Sequence, residues 1–219
     1  MTRNLLDKRM KLLKSELAEM GSLVEKQIYN SIEAFKNKDM VLAKQVMDND
    51  DKVDELNRKI EEQCLKLMAM ESPVATDLRK IFTTSKIVTD LERIGDQSAD
   101  IAELILEMKE MDSFLMIGHI QDMAKIATKM VKESLDAFHQ HDLNHALEVK
   151  KMDIKMDELF DQVKKDIIQM IKESNDKGDL TINFLMIAKY FERIGDHVVN
   201  ICEWIEFNQT GKLNNTRLI

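Results

Sequence analysis

Apolar side chains recur along this chain at steps of three and four residues, which is the spacing of one face of an α-helix. The first such run extends from about Arg3 to Lys36, and five further runs follow it. No stretch alternates between apolar and polar with a period of two, so the pattern predicts no sheet. Helices of about thirty residues joined by short turns must run antiparallel. The pattern therefore predicts an all-α fold of six long helices.

Residues that favour helix starts and stops divide these runs. Asp and Ser are good N-cap residues, Pro fits the first helical turn, and Gly commonly ends a helix. On this basis we predict helix boundaries at Asp39, Ser72-Pro73, Asp112-Ser113, Asp142 and Gly178-Asp179.

The second half of the chain repeats the first. The segment Leu91-Glu92-Arg93-Ile94-Gly95-Asp96 returns one hundred residues later as Phe191-Glu192-Arg193-Ile194-Gly195-Asp196. Ten earlier residues are matched at an offset of 103, from Ser31 to Leu56 in the first half. Such self-similarity is typical of tandem copies of one structural unit. We predict two tandem three-helix bundles, residues 1–111 and 112–208, followed by a loose polar tail at 209–219.

Composition and charge fit a soluble protein of the cytoplasm. The 219 residues are 44% hydrophobic and carry a formal net charge of −8, which argues against a nucleic-acid surface. The polar first ten residues do not resemble a signal peptide, and no apolar run is long enough to insert into a membrane. Cys64 and Cys202 are expected to be buried free thiols, because the other repeat has Ile167 and Ala102 at these positions.

Acidic residues interrupt the apolar rows at equivalent places in both repeats. If the second and third helices fold about a turn centred on residue 73, Asp54 meets Glu92 and Asp50 meets Asp96. The same construction in the second repeat gives a set that we call the second acidic cluster, namely Asp153, Asp157, Glu192 and Asp196. We call Asp50, Asp54, Glu92 and Asp96 the first acidic cluster.

Four carboxylates at one level of a bundle call for a counter-charge. Two charges about 6 Å apart repel by roughly 3 kcal/mol at an effective dielectric near 20, so four cannot all stay ionised unaided. Carboxylate oxygens suit iron, zinc, manganese or magnesium. Asp100 extends the first cluster by one turn, although its counterpart is Asn200. The predicted metal ligands are Asp50, Asp54, Glu92, Asp96, Asp100, Asp153, Asp157, Glu192 and Asp196.

Basic neighbours offer an alternative to a cation, since a guanidinium or ammonium group can neutralise the same acids. The candidates are Arg79, Lys86, Arg93, Lys189 and Arg193. Gly95 and Gly195 each cost about 1 kcal/mol relative to alanine in mid-helix, which indicates that a neighbouring helix approaches closely there.

The repeated acidic motifs resemble those of the PhoU family of bacterial phosphate-uptake regulators, and the resemblance covers nearly the whole chain. The family's hallmark is Glu/Asp-x-x-x-Asp, present here as Asp50 to Asp54, Glu92 to Asp96, Asp153 to Asp157 and Glu192 to Asp196. The resemblance implies a non-enzymatic cytoplasmic homodimer that binds metal ions and acts as a negative regulator of the phosphate-starvation response. It further implies contacts with the ATPase subunit of the phosphate ABC transporter and with a sensor histidine kinase.

Two other functions stay open at this point. A carboxylate-bridged di-iron oxidase or ferritin-like protein would place Glu-x-x-His motifs on its helices; this chain has none, and its nearest approaches, Asp136 to His139 and Asp142 to His145, are not repeated in the first half. His197, beside Asp196, is a less favoured ligand. The second alternative is an interaction module without metal, which the sixteen adaptable methionines would permit.

Overall fold

The computed structural model describes residues 3–70, 72–108, 118–173, 178–213 and 216–217. The helices are α1 (Arg3–Asn37), α2 (Met40–Asp48), α3 (Asp50–Met70), α4 (Ala75–Glu107), α5 (Gly118–Gln140), α6 (Leu143–Glu173) and α7 (Gly178–Thr210). Since α2 and α3 together form the predicted second helix, the six-helix, all-α plan is confirmed.

A single turn at Asn49 separates α2 from α3. The Asn49 side chain donates from Nδ2 to the carbonyl oxygen of Gln45 at 2.8 Å, a local bond that competes with continuation of the helix. The second repeat has Met152 at the equivalent position, and α6 continues through it without a break. Asp50 is therefore the first residue of a helix, whereas its counterpart Asp153 lies in the middle of one.

Two of the predicted caps are confirmed and two boundaries are wrong. Asp39 Oδ1 accepts from the backbone N–H of Leu42 at 2.9 Å, and Asp142 Oδ1 does the same for His145 at 3.0 Å. Ser72-Pro73 does not open α4: Ser72 has a φ of 45°, a left-handed value instead of the extended backbone of an N-cap, and Val74 is the cap. Gly178 and Asp179 lie inside the first turn of α7 instead of before it. Asp112-Ser113 falls outside the described residues.

The expectation of no sheet is wrong at the end of the chain, where two short strands follow α7. Helix α7 continues to Thr210, and Gly211 then turns the chain with a φ of 71°, its N–H bonded to the Phe207 carbonyl oxygen at 2.8 Å. Strands β1 (Lys212–Leu213) and β2 (Thr216–Arg217) pair antiparallel. Strands of two residues are too short to produce a period-two pattern that could be recognised.

The two repeats share one hydrophobic core. Helices α1 to α4 pack together in the first half and α5 to α7 in the second, while α4 packs against α7 and α1 against α5 across the middle. The buried apolar residues form one continuous cluster through both halves. Cys64 and Cys202 are buried free thiols, as predicted, and burial raises the pKa of each to about 12. In the described part of the chain, none of the helices has a stretch apolar and long enough to cross a membrane.

Candidate metal centre

Three carboxylates of the first acidic cluster converge between α3 and α4. Asp54 comes from α3, while Glu92 and Asp96 are one turn apart on α4 and so lie on the same face of that helix. One oxygen of each lies within 4.8 Å of the other two, and all three side chains are half-buried. Oxygens that bind the same hard cation lie at most about 4–5 Å apart, twice the usual metal–oxygen distance. We call these three residues the carboxylate triad.

Asp50 lies on the same side of the pair of helices, one turn before Asp54. Burial, together with repulsion from Asp96 and Asp54, raises its pKa to about 6, and the nearby amide of Gln27 partly opposes this change. Asp50 Oδ1 is buried and makes no hydrogen bond to any residue that the structure describes. A carboxylate oxygen in this condition favours either a proton or a bound cation.

Gly95 makes room for Asp50. A β-carbon at this position would lie 3.2 Å from Val53 Cγ1, which is tighter than usual, and 3.4 Å from Asp50 Oδ1, which is ordinary van der Waals contact. The glycine therefore allows α3 to bring its carboxylates against α4, which accords with the close approach expected from its position in mid-helix.

Arg93 supplies part of the counter-charge. Its Nη1 lies 3.0 Å from Asp96 Oδ2, and its Nε lies 3.4 Å from Glu92 Oε2. More than half of the Arg93 side chain is exposed, so water screens the charge and such pairs stabilise by at most about 1 kcal/mol. Burial, and secondarily Asp96, still raises the pKa of Glu92 in spite of Arg93. One exposed guanidinium therefore neutralises four acids only in part.

The second acidic cluster is looser. Burial, together with repulsion from Asp157, Asp196 and Glu192, raises the pKa of Asp153 to about 6, so the four acids do interact. However, Asp157 and Asp196 are exposed, and within the described ranges no three carboxylates of this repeat bring ligand atoms within 4.8 Å of one another. Lys189 forms an ion pair with Glu192.

Gly195 matches Gly95 in position but is tighter. A β-carbon on Gly195 would lie 2.6 Å from Asp153 Oδ1, a distance that such atoms essentially never show. Like Asp50 Oδ1, this oxygen is buried and has no hydrogen-bond partner among the residues that are described. The glycines thus place a carboxylate oxygen against the neighbouring helix in both repeats.

Asp100 and His197 lie away from the triad. Burial raises the pKa of Asp100, and Asp96 adds to the effect, but the structure does not bring Asp100 into the group of three converging oxygens. His197 Nδ1 lies 3.0 Å from Asp90 Oδ1 of the other repeat, where Asp90 also accepts from Asn200 Nδ2 at 3.2 Å. His197 therefore joins the interface between α4 and α7.

Sequence analysis missed two residues near these sites. Asp90 is nearly buried, but its counterpart is Tyr190, so a search for repeated acids could not find it. Gln27 on α1 is buried beside Asp50 and Gly95. The available signal was a polar residue between Val24 and Ile28 on the apolar face of α1.

The donor set of the first cluster consists of carboxylate oxygens from two helices, with a further amide close by. Such a set suits hard or borderline cations, including magnesium, manganese, iron and zinc. These side chains form a partly desolvated, negatively charged group between α3 and α4.

Comparison with known proteins extends this picture. The model of the PhoU domain matches residues 17–105 and again residues 120–205. The chain is 39% identical over 213 residues, covering 97% of both chains, to a phosphate-specific transport system accessory protein PhoU homolog of Clostridium acetobutylicum.

Two crystal structures have the same fold. PhoU from Pseudomonas aeruginosa superposes with a TM-score of 0.90 at 32% identity, over 94% of this chain and 99% of that one. The phosphate transport system regulatory protein PhoU from Streptococcus pneumoniae gives a TM-score of 0.88 at 28% identity, over 95% and 98%. The duplicated acidic motif, the paired three-helix bundles and these matches together show that the chain belongs to the PhoU family.

Proposed function

We propose that this protein is a cytoplasmic accessory protein of the phosphate-specific transport system, which regulates phosphate uptake and phosphate-starvation signalling and binds metal cations at its acidic clusters. The observation that carries the metal part is the carboxylate triad of Asp54, Glu92 and Asp96 beside the unpaired, buried oxygen of Asp50. The phosphate part is supported by family membership and by the names of the relatives.

The residues present fit a divalent cation. A buried polar atom without a hydrogen-bond partner generally lowers the free energy of unfolding by about 1–3 kcal/mol. Asp50 Oδ1 and Asp153 Oδ1 are two such atoms among the described residues. Asp54, Glu92 and Asp96 would hold a cation in the first repeat. This cation would supply the positive charge that Arg93 provides only in part. In the second repeat Asp153, Asp157, Glu192 and Asp196 would hold a second, weaker one, and the role of Asp100 stays a prediction.

The proposed mechanism is that of an adaptor. The first cluster joins α3 to α4, and α4 packs against α7 of the other repeat. A cation that neutralises the four acids would therefore hold α3 firmly against α4. The protein would act as a homodimer. The helix faces held in this way would contact the ATPase subunit of the phosphate ABC transporter and a sensor histidine kinase. Negative regulation then follows from binding, without a catalytic step.

Metal analysis tests the cation site directly. The protein is purified without chelator and compared with a triple variant, Asp54→Asn, Glu92→Gln and Asp96→Asn. The matched control carries Asp51→Asn, Glu55→Gln and Glu62→Gln, which removes the same number of charges from exposed positions of α3. We expect the control to keep its metal and the triad variant to lose it. Equal metal content in the two variants would contradict the site.

Binding of the purified transporter ATPase subunit tests the adaptor role. We expect capture by the metal-loaded protein and reduced capture after chelation or in the triad variant. If chelation does not change the amount of ATPase subunit captured, the result would support an interaction module without metal. Oxygen consumption by the iron-loaded protein would instead support the di-iron oxidase.

A further inference from the structure

The amide of Gln27 reaches the first acidic cluster from a third helix. Gln27 lies on α1 and is only 3% exposed. A β-carbon on Gly95 would lie 3.2 Å from Gln27 Oε1 and 3.4 Å from Asp50 Oδ1. The amide oxygen and the carboxylate oxygen therefore converge on the small space that the glycine leaves open.

Within the described parts of the chain, Gln27 Oε1, Gln27 Nε2 and Asp50 Oδ1 are buried and have no partner at hydrogen-bond distance and angle. The Gln27 amide lies close enough to Asp50 to lower the pKa of that carboxyl, but no donor is directed at the Gln27 amide oxygen. A buried amide without partners destabilises a fold by about 1–3 kcal/mol, so packing alone would favour an apolar residue here. Two acceptor oxygens directed at one space are the arrangement that a cation stabilises.

The second repeat shows what packing alone selects. The residue equivalent to Gln27 is Met130, which has nearly the same length and is completely buried. Asp153 Oδ1 lies against Gly195 just as Asp50 Oδ1 lies against Gly95, but no amide oxygen reaches it from α5 at that position. The position thus tolerates methionine in this fold, and glutamine occurs in the repeat whose carboxylates converge.

We propose that Gln27 is a metal ligand of the first site, contributing its amide oxygen beside Asp50 and so connecting α1 to the cation held between α3 and α4. Amide and carboxylate oxygens together suit hard cations such as Mn²⁺ and Mg²⁺. The consequence is a first site that draws on all three helices of its bundle and binds more tightly than the second. The inference rests on the proposed function, since it assigns a ligand to the same site.

Titration with Mn²⁺ tests the assignment. The parent protein carries Glu192→Gln and Asp196→Asn, so that the first site is measured alone. Gln27→Met installs the residue of the other repeat, and we expect it to weaken Mn²⁺ binding by about ten- to a hundredfold, as the loss of a supporting group at a metal site typically does. Met130→Gln in the same parent is the control and should leave the affinity unchanged. Equal affinity of the parent and Gln27→Met overturns the assignment.

Melting temperatures separate a ligand from a structural residue. Without metal, Gln27→Met should melt at or above the parent temperature, because an unpaired amide is lost; with saturating Mn²⁺ its rise in melting temperature should be smaller than that of the parent. Equal rises overturn the proposal. Gln27→Glu keeps an oxygen on a side chain of the same length and should retain Mn²⁺ binding. A loss of binding like that of Gln27→Met would show that the amide N–H matters and not the oxygen, and it would overturn the assignment.

The two proposals fail separately. If the parent with an intact first cluster binds no Mn²⁺, the proposed metal function fails and the ligand assignment with it. If the parent binds Mn²⁺ and Gln27→Met binds it equally well, the cation site stands and only the assignment of Gln27 is wrong.

Discussion

The two acidic clusters have the same residue spacing, but their side chains are arranged differently. In the first, oxygens of Asp54, Glu92 and Asp96 lie within 4.8 Å of one another, and in the second, Asp157 and Asp196 are exposed. Both clusters contain one half-buried aspartate whose pKa is raised to about 6. The i,i+4 spacing therefore decides which acids share a helix face, while the packing of the surrounding helices decides how closely they approach.

Two local differences accompany the change in geometry. The turn at Asn49 lets Asp50 begin a new helix in the first repeat, whereas Asp153 lies within continuous α6. The third helix contributes Gln27 to the first cluster, against Met130 in the second. If both clusters bind a cation as proposed, these differences give the two sites unequal affinities.

The largest expected effect is on metal content. The variant Asp54→Asn, Glu92→Gln, Asp96→Asn should weaken the tighter class of sites by at least about tenfold, since it removes direct ligands. The equivalent variant Asp157→Asn, Glu192→Gln, Asp196→Asn should weaken only the looser class. Equilibrium dialysis with Mn²⁺ measures both. If both variants lose the same Mn²⁺ affinity at the same class of sites, the proposed difference between the two clusters is wrong.

The second expected effect is on stability at the two glycines. Alanine gains up to about 1 kcal/mol of helix propensity over glycine, but forcing atoms into a packed site costs about 1–3 kcal/mol. Gly195→Ala places a β-carbon 2.6 Å from Asp153 Oδ1 and should destabilise the metal-free protein by up to about 2 kcal/mol. Gly95→Ala meets contacts of 3.2 Å or more and should be close to neutral. Urea unfolding gives both values.

A double variant provides the control for this prediction. Asp153→Ala removes the oxygen that the new β-carbon would meet, so Gly195→Ala should become neutral or stabilising in that background. If Gly195→Ala is equally destabilising with and without Asp153, the cause is Met156, whose Cγ would lie 3.3 Å away.

The contrast between motif and packing also explains what could be predicted from sequence. The six helices, the duplication and the acids of both clusters followed from periodicity and from matched positions. The cap at Val74 could not be predicted, because it provides no side-chain hydrogen bond. Asp90 and Gln27 were missed because their counterparts are Tyr190 and Met130, and a repeat search detects only what both halves keep. The approach of Gln27 on α1 to Asp50 and Gly95 depends on how closely the helices pack, and the spacing of residues in the sequence does not determine that distance.

The pH dependence of stability should arise in both repeats. Asp50 and Asp153 have folded pKa values near 6 against 3.8 in the unfolded chain, so the folded protein binds more protons between these values. The free energy of unfolding of the metal-free protein should therefore be highest below pH 4 for these groups and fall as the pH rises through 6. Asp50→Asn and Asp153→Asn should each flatten this fall. Exposed Glu62→Gln is the control, and denaturant unfolding across pH 4 to 7 in chelator is the measurement.

The smallest expected effect concerns the bases that compete with a cation. Arg93 pairs with two acids of the first cluster and Lys189 with one of the second; the Arg93 side chain is 54% exposed and that of Lys189 is 44% exposed. Arg93→Gln removes a charge that repels the cation and frees oxygens of Glu92 and Asp96, so it should tighten Mn²⁺ binding to the first site. The gain is limited to about fivefold, since exposed ion pairs contribute at most about 1 kcal/mol. Lys189→Gln should act only on the second site. If Arg93→Gln weakens binding instead, the guanidinium orders the carboxylates for the cation, and the first cluster differs from the second through its base as well as through its third helix.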